Sequence, residues 1–332
     1  MSEPAPLTIV THPGYAAHDT GGGEHPETPE RLRVLLASLA ASPLGPTLRR
    51  VEPGKAGRDW LTTFHDEEYL FRFEESALSG KTYIDHPDNQ ICYETYETAL
   101  LAAGAGLAGI DLLEKGANQV FCALRPPGHH AERNMALGFC FLNNSVLAAR
   151  YWQQRHGRRK IAVIDWDAHH GNGIQSAFEE DPEVFYISIH EHPTFSFPGS
   201  GYAEETGTGR GKGTTLNIPL PPGAGDQLVL QAFRQKIRPA LAAFRPERII
   251  VSAGFDGHLQ DDMSGLAYST ELYAWLGGEM AALAGEYCQG KLLSILEGGY
   301  HLASLAESAT AYLSTLSTPA SKEDKPCSSP TT

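Results

Sequence analysis

Seven short apolar runs rich in β-branched residues recur along this chain, most of them separated by a stretch with helical periodicity, and this alternation limits the fold more than any other feature. The runs are LTIV (7–10), NQVFCAL (118–124), KIAVIDWD (160–167), VFYISIH (184–190), TTLNIPL (214–220), RIIVSAG (248–254) and KLLSILEGG (291–299). Uniformly apolar runs of this length suit strands buried on both faces. The helical patterns include PERLRVLLASLA, YETALLAAGAGLAGIDLLEKG, NSVLAARYWQQRHG, DQLVLQAFRQKIRPALAAF, TELYAWLGGEMAALAGEYC and LASLAESATAYLSTL. Strands alternating with helices predict an α/β fold, a mainly parallel central sheet with helices on both faces. No repeat period or composition break interrupts the pattern, so residues 1–317 read as one domain. The polar, Ser/Thr/Pro-rich tail 318–332 reads as disordered.

Composition narrows the function classes. Lys and Arg number 26 against 40 Asp and Glu, a net charge of −14, which argues against a protein that grips phosphate backbones and suits cationic partners. The five cysteines (Cys92, Cys122, Cys140, Cys288, Cys327) are scattered with no CxxC spacing and read as free thiols in a reducing compartment. With no signal-peptide pattern and no stretch read as approaching a membrane span, the expectation is a cytoplasmic chain without a membrane partner.

The polar, titratable clusters fall just after the apolar runs, and in open α/β sheets ligands bind at the carboxyl ends of strands. The strongest cluster is DWDAHHGNG (165–173). Side chains alternate along an extended chain, so Asp165, Asp167 and His169 are expected on one side, where carboxylates and an imidazole can meet one cation. A catalytic zinc site takes three protein ligands and leaves a position open for water, and SAGFDGH (252–258) offers the third ligand. Asp256, at the strand end, is better placed for this than His258.

RPPGHH (125–130) puts two adjacent imidazoles, His129 and His130, in a rigid loop beside that site. Histidine titrates near neutral pH and can act as base and then acid. Asp165 and Asn172 are candidate acceptors to orient the two rings. LEGGY (296–300) ends the last run, and the hydroxyl of Tyr300 could donate to a developing oxyanion.

Together RPPGHH, GFCFLNN (138–144), DWDAHHGNG, SFPGSG (196–201), SAGFDGH and LEGGY, preceded by HPETPERL (25–32), resemble the histone deacetylase and acetylpolyamine amidohydrolase family. Asn172, the LEGGY glutamate and HPETPERL are similar to its class II branch and bacterial relatives. The resemblance implies the arginase-deacetylase fold, with zinc at the base of a narrow tunnel. It implies Asp167, His169 and Asp256 as ligands, His130 as the base for the attacking water, His129, paired with Asp165, as the electrostatic partner, and Tyr300 as the group polarising the acetyl carbonyl. Gly138, Phe139 and Phe197 match the tunnel wall. Two structural potassium sites are also implied, one at Asp165, Asp167, His169 and Ser188, the other at the carbonyls of Phe178, Asp181 and Val184. Fe(II) would also suit a site of two carboxylates and one imidazole.

The expected activity is removal of acetyl or another short acyl group from an acylated amine, an acyl-lysine side chain ahead of an acetylpolyamine. Met263 would face the tunnel mouth, where polyamine-selective relatives can carry glutamate, and Asp88, in DHPDNQ (85–90), is a candidate rim carboxylate. A two-metal ureohydrolase is the nearest rival, but this chain has His170 where a bridging carboxylate is needed. A catalytically silent acetyl-amine-binding module would lack a ligand, His130 or Tyr300, and none is missing. The oligomeric state is open, a homo-oligomer included.

Overall fold

The computed structural model describes residues 7–21 and 25–317. The expected tail, residues 318–332, and Cys327 lie outside the described residues. Ten strands are described: β1 (Thr8–Val10), β2 (Arg49–Val51), β3 (Tyr83–Ile84), β4 (His86–Gln90), β5 (Gln119–Cys122), β6 (Ile161–Asp165), β7 (Val184–Glu191), β8 (Thr215–Leu220), β9 (Arg248–Ala253) and β10 (Leu292–Leu296). Eight form one sheet in the order β2-β1-β5-β10-β9-β6-β7-β8, and every pairing in it is parallel. The strands β3 and β4 make a separate antiparallel hairpin.

All seven apolar runs are strands of this sheet. The central ones are buried along their whole length, as strands covered on both faces must be. Helices Glu30–Ala41, Thr270–Tyr287 and Leu302–Leu316 pack together as one group, and Thr95–Glu114 with Asn144–His156 as another, so the sheet lies between two helical layers. The helical pattern at 226–244 is interrupted. Residues Phe233–Ile237 form a π-helical turn between Asp226–Ala232 and Arg238–Phe244. Pro239 lacks the N–H that would bond four residues back, which accounts for the widened turn before it.

Three features escaped the sequence reading. The edge strand β2 is mostly exposed and has no apolar alternation to mark it. The hairpin β3–β4 and the helices Arg58–Leu61, Glu67–Leu78 and Asn172–Phe178 are short or polar. Finally, Thr95–Glu114 does reach a length and hydropathy sufficient for a membrane span, contrary to expectation, but 72% of its most apolar window is buried in the protein interior. It is a core helix, rich in Ala and Gly because it packs closely against β5 and β10.

The order of the strands positions the site. RPPGHH, LEGGY, SAGFDGH and DWDAHHGNG follow β5, β10, β9 and β6, and these four strands are consecutive neighbours in the sheet. Because all run parallel, their carboxyl ends lie along one edge, and segments far apart in sequence meet there, Gly128 and Glu297 across a separation of 169 residues.

Candidate active site

The strand β6 ends at Asp165, and the chain then turns instead of continuing extended. The backbone N–H of Asp167 donates to Asp165 Oδ1 (3.1 Å) and that of His169 to Asp167 Oδ1 (3.0 Å), so each aspartate closes a tight turn on the residue two further on. This corrects the expectation that Asp165, Asp167 and His169 would share one face by simple alternation. Asp165 turns instead to His129 Nδ1 (3.1 Å) and the Tyr186 hydroxyl (3.2 Å).

Asp167 and His169 meet Asp256 from the end of β9. The ligand atoms of these three buried residues lie within 4.8 Å of one another. His169 Nδ1 is 3.1 Å from both Asp167 Oδ1 and Asp256 Oδ2, while its Nε2 is 3.1 Å from the carbonyl oxygen of Met263. A carbonyl can only accept, so Nε2 carries the hydrogen and Nδ1 is the nitrogen presented to the carboxylates. His258 is not part of the set: its Nε2 pairs with Thr270 Oγ1 at 3.2 Å.

The donor chemistry fits a divalent ion. Burial and the charge of Asp167 push the Asp256 carboxyl up to about 7, while His129 and His169 hold Asp167 low against burial. The two carboxylates likewise hold His169 well above the usual histidine range, against burial. Two buried carboxylates and one imidazole thus converge on a spot that calls for positive charge. Glycine is needed beside it, because a Cβ at Gly298 would stand 2.3 Å from Asp256 Oδ2 and 2.6 Å from Asp167 Oδ2.

His129 and His130 lie against each other with ring centroids 3.9 Å apart. His129 pairs with Asp165 and, at 3.7 Å, with Asp167; although burial opposes it, these two charges push His129 up to about 10. His130 Nδ1 is 2.8 Å from Asn172 Oδ1. The Asn172 amide nitrogen donates to His130 O (3.2 Å) and Glu132 Oε1 (2.7 Å), which fixes the amide's orientation. His130 Nδ1 is therefore the protonated nitrogen and Nε2 the free acceptor. Burial and the neighbouring His129 and His169 hold His130 well below the usual range. The two imidazoles and the two candidate acceptors named from sequence lie together, His129 with Asp165 and His130 with Asn172.

Tyr300 lines the same cavity as His130. Burial keeps its phenol protonated, and the guanidinium of Arg31 stacks over its ring at 4.7 Å. A cavity of about 670 Å³ is lined by His130, His169 and Tyr300 together with Gly138, Phe139, Phe197, Met263 and Asp88, all of them singled out from sequence, and also by Glu191 and Asp262. Phe197 meets His130 edge to face at 4.9 Å, and Phe139 meets Tyr300 in the same way at 5.7 Å. Gly138 has φ +54°, and a Cβ there would lie 2.4 Å from His130 Cδ2, so only glycine lets this wall approach the imidazole. Phe139 is itself left-handed (φ 66°) and is held by donation from its N–H to Asn89 Oδ1 (2.9 Å) in β4.

Of the residues matched to potassium sites, Ser188 is the register partner of Asp165 across β6 and β7, and its hydroxyl pairs with His190 Nδ1 (2.7 Å). Phe178, Asp181 and Val184 span two successive turns between the helix Asn172–Phe178 and β7, in which the Phe178 carbonyl accepts from the Asp181 N–H (2.9 Å) and the Asp181 carbonyl from that of Val184 (3.4 Å).

Supporting residues were missed from sequence. Fully buried Arg31 donates to the carbonyls of Gly299 (2.6 Å) and Glu297 (2.5 Å), and fully buried Glu27 accepts from both Arg31 (3.1 Å) and Arg125 (2.6 Å). HPETPERL and RPPGHH are thereby tied to LEGGY. The available signal was the pair Glu27 and Arg31, four residues apart in a segment with no other reason to carry both charges.

Fold and site together define a hydrolase of the arginase-deacetylase architecture. The histone deacetylase domain model matches residues 25–316. The chain is 40% identical to a probable deacetylase of Archaeoglobus fulgidus over 88% of its length and 80% of the relative's. It is 40% identical to the human polyamine deacetylase HDAC10 over 87% of its length and 44% of that protein's. It is also 35% identical to the histone deacetylase-like amidohydrolase of Pseudomonas aeruginosa (83% and 72%). The crystal structure of the HDA15 HD domain superposes with a TM-score of 0.89 at 33% identity, covering 95% of this chain and 89% of that one. The chain belongs to the histone deacetylase family.

Proposed function

We propose that the chain is a zinc-dependent deacetylase that removes acetyl or another short acyl group from lysine side chains. The observation that carries this reading is the buried set of Asp167, His169 and Asp256 beneath a cavity whose walls hold His130 and Tyr300.

An ion held by those three residues would supply a Lewis acid for the amide carbonyl and the attacking water. His130 takes the water's proton on Nε2, which its bond to Asn172 leaves unprotonated. His129, held by Asp165, adds positive charge beside the developing oxyanion, and the Tyr300 hydroxyl donates to that oxygen. The proton then passes from histidine to the amine nitrogen as the C–N bond breaks, giving acetate and free amine. Phe139 and Phe197 flank the aliphatic stem. Potassium is assigned to the two positions named from the resemblance, where it would brace the loops after β6 and before β7.

The substrate class rests on Met263, whose thioether offers flexible apolar contact and no charge at the cavity wall. Asp88, at the rim, suits a peptide backbone. Acetylpolyamine is the competing substrate, favoured by the carboxylates of Asp88, Glu191 and Asp262 around the same cavity. A side-by-side comparison of kcat/KM for an acetyl-lysine peptide, acetylputrescine and acetylspermidine tests the assignment. The peptide is expected to win. A preference for either polyamine replaces acyl-lysine with polyamine, and no turnover of any of the three leaves a silent binding module.

A further inference from the structure

Glu297, the acidic residue of LEGGY, has no role in the chemistry above, yet it is completely buried at the end of β10, directly behind the histidine pair. Its Oε2 accepts from the backbone N–H of Gly128 at 2.7 Å and from that of His129 at 3.1 Å. Its Oε1 lies 3.4 Å from the Ser145 hydroxyl, which pairs in turn with Ser252 Oγ at 2.7 Å. Its nearest charged neighbour is the His129 ring, one nitrogen of which lies within 4.8 Å of the carboxylate. The two N–H groups belong to consecutive residues in a loop that has just passed two prolines, Pro126 and Pro127, so few other backbone donors there can anchor it.

We propose that Glu297 is a positioning residue for the reaction, a two-point clamp that fixes the backbone of Gly128 and His129 and through it aims both imidazoles at the cavity. The proposal rests on the deacetylase reading and assigns within it a residue that touches neither substrate nor metal ligand.

The surroundings support the clamp. The loop has one further tie to the same strand end: Arg31 donates to the Glu297 carbonyl while the Glu27 carboxylate bridges Arg31 and Arg125. That tie holds the start of RPPGHH, whereas Glu297 holds its end, one residue from the rings that matter. On the other side Asn143 Nδ2 donates to the carbonyls of His129 (3.4 Å) and Ala131 (2.9 Å), so the histidine backbone is gripped from both its donor and its acceptor side. A rotation of the His129 peptide would move His130 Nε2 as well, and misplacement by about 1 Å can cost on the order of 10²-fold in rate. Burial, against the pull of His129 and the Gly128 N–H, pushes the Glu297 carboxyl up to about 7, and an amide in its place matches it in shape.

Glu297→Gln retains an acceptor oxygen for the two N–H groups and turns the acceptor of the Ser145 hydroxyl into an NH₂ donor to it, whereas Glu297→Ala keeps no polar group. With zinc-loaded full-length protein and an acetylated substrate turned over by the wild type, Glu297→Gln is expected to keep kcat within about 3-fold, and Glu297→Ala to lower it by about 10²-fold with KM little changed. Zinc content should stay that of the wild type in both. Hydrogen exchange of the peptide carrying residues 125–131 should accelerate in Glu297→Ala and not in Glu297→Gln. Wild-type kcat in the alanine variant overturns the clamp, as does a glutamine variant as slow as the alanine one. If the alanine variant does not fold, the glutamine result decides alone, because a loss beyond about 30-fold would mean that an accepting oxygen at this position is not what the loop requires. The exchange measurement needs no turnover, so a wild type inactive on every acetylated amine would sink the deacetylase reading while the loop anchoring is still measured.

Discussion

The Asp261 carboxylate accepts from the backbone N–H of Tyr300 at 2.6 Å and, with the same oxygen, from that of His301 at 2.9 Å. Its other oxygen accepts from the Met263 N–H at 3.2 Å. One buried carboxylate therefore joins the tyrosine to the loop that lines the same cavity at Asp262 and Met263 and supplies the carbonyl against His169. Asp261→Ala should lower kcat by about 10-fold or more by loosening Tyr300. In a Tyr300→Phe background the same change should cost little further, since there is no hydroxyl left to aim. Full additivity in this double-mutant cycle would show that Asp261 acts elsewhere.

Tyr300→Phe removes only the hydroxyl. It should leave melting temperature and metal content as in the wild type and lower turnover by roughly 10²-fold or more, the usual cost of one oxyanion donor. Near-normal turnover would make Tyr300 a packing residue against Phe139 and Arg31.

Elemental analysis of the purified protein should return about one catalytic transition metal per chain. Chelation should abolish activity and one equivalent of zinc restore it, and Asp167→Ala should lose the metal. Two tightly bound ions of the manganese type would point to ureohydrolase chemistry instead.

Met263→Glu places a carboxylate at the cavity wall, already shared with Asp88, Glu191 and Asp262. The ratio of kcat/KM for acetylspermidine to that for an acetyl-lysine peptide should rise by about 3- to 5-fold, the worth of one partly exposed ion pair. An unchanged ratio would locate selectivity in the other acids of the rim.

Stability should fall in mild acid through His65, which burial pulls down to about 4 and whose Nε2 accepts from the Asn143 N–H at 3.0 Å. The unfolded chain binds a proton at this residue below about 6.5 and the folded chain does not, so stability is lost as pH drops from about 6.5 toward 4, by on the order of 3 kcal/mol. Urea midpoints at pH 7.5, 6 and 4.5 should trace this decline, and His65→Gln should flatten part of it. An identical slope in the variant would assign the loss to other buried groups, such as His190, which burial pulls down to about 3.

What the sequence determined by itself was whatever depends on local pattern. The seven apolar runs are strands because continuous β-branched stretches can be covered on both faces only in a parallel sheet between helices, and Asp165 and Asn172 could be named as candidate ring acceptors because they flank the ligand motif, whereas the contact of Asn172 with His130 came from the fold. Tertiary structure decided what no local pattern encodes. The order β5-β10-β9-β6 sets four distant segments side by side, and the turn after Asp165 sends its carboxylate to His129 while Asp167 and His169 face Asp256. Asp261 and Glu297 gave no signal of their roles, because a carboxylate that holds backbone N–H groups looks in sequence like any surface acid, and Glu27 was marked only by its spacing from Arg31. Only the closure of the fold removes the water that would otherwise satisfy those donors, and with it gone each carboxylate becomes the partner that fixes where the reacting side chains stand.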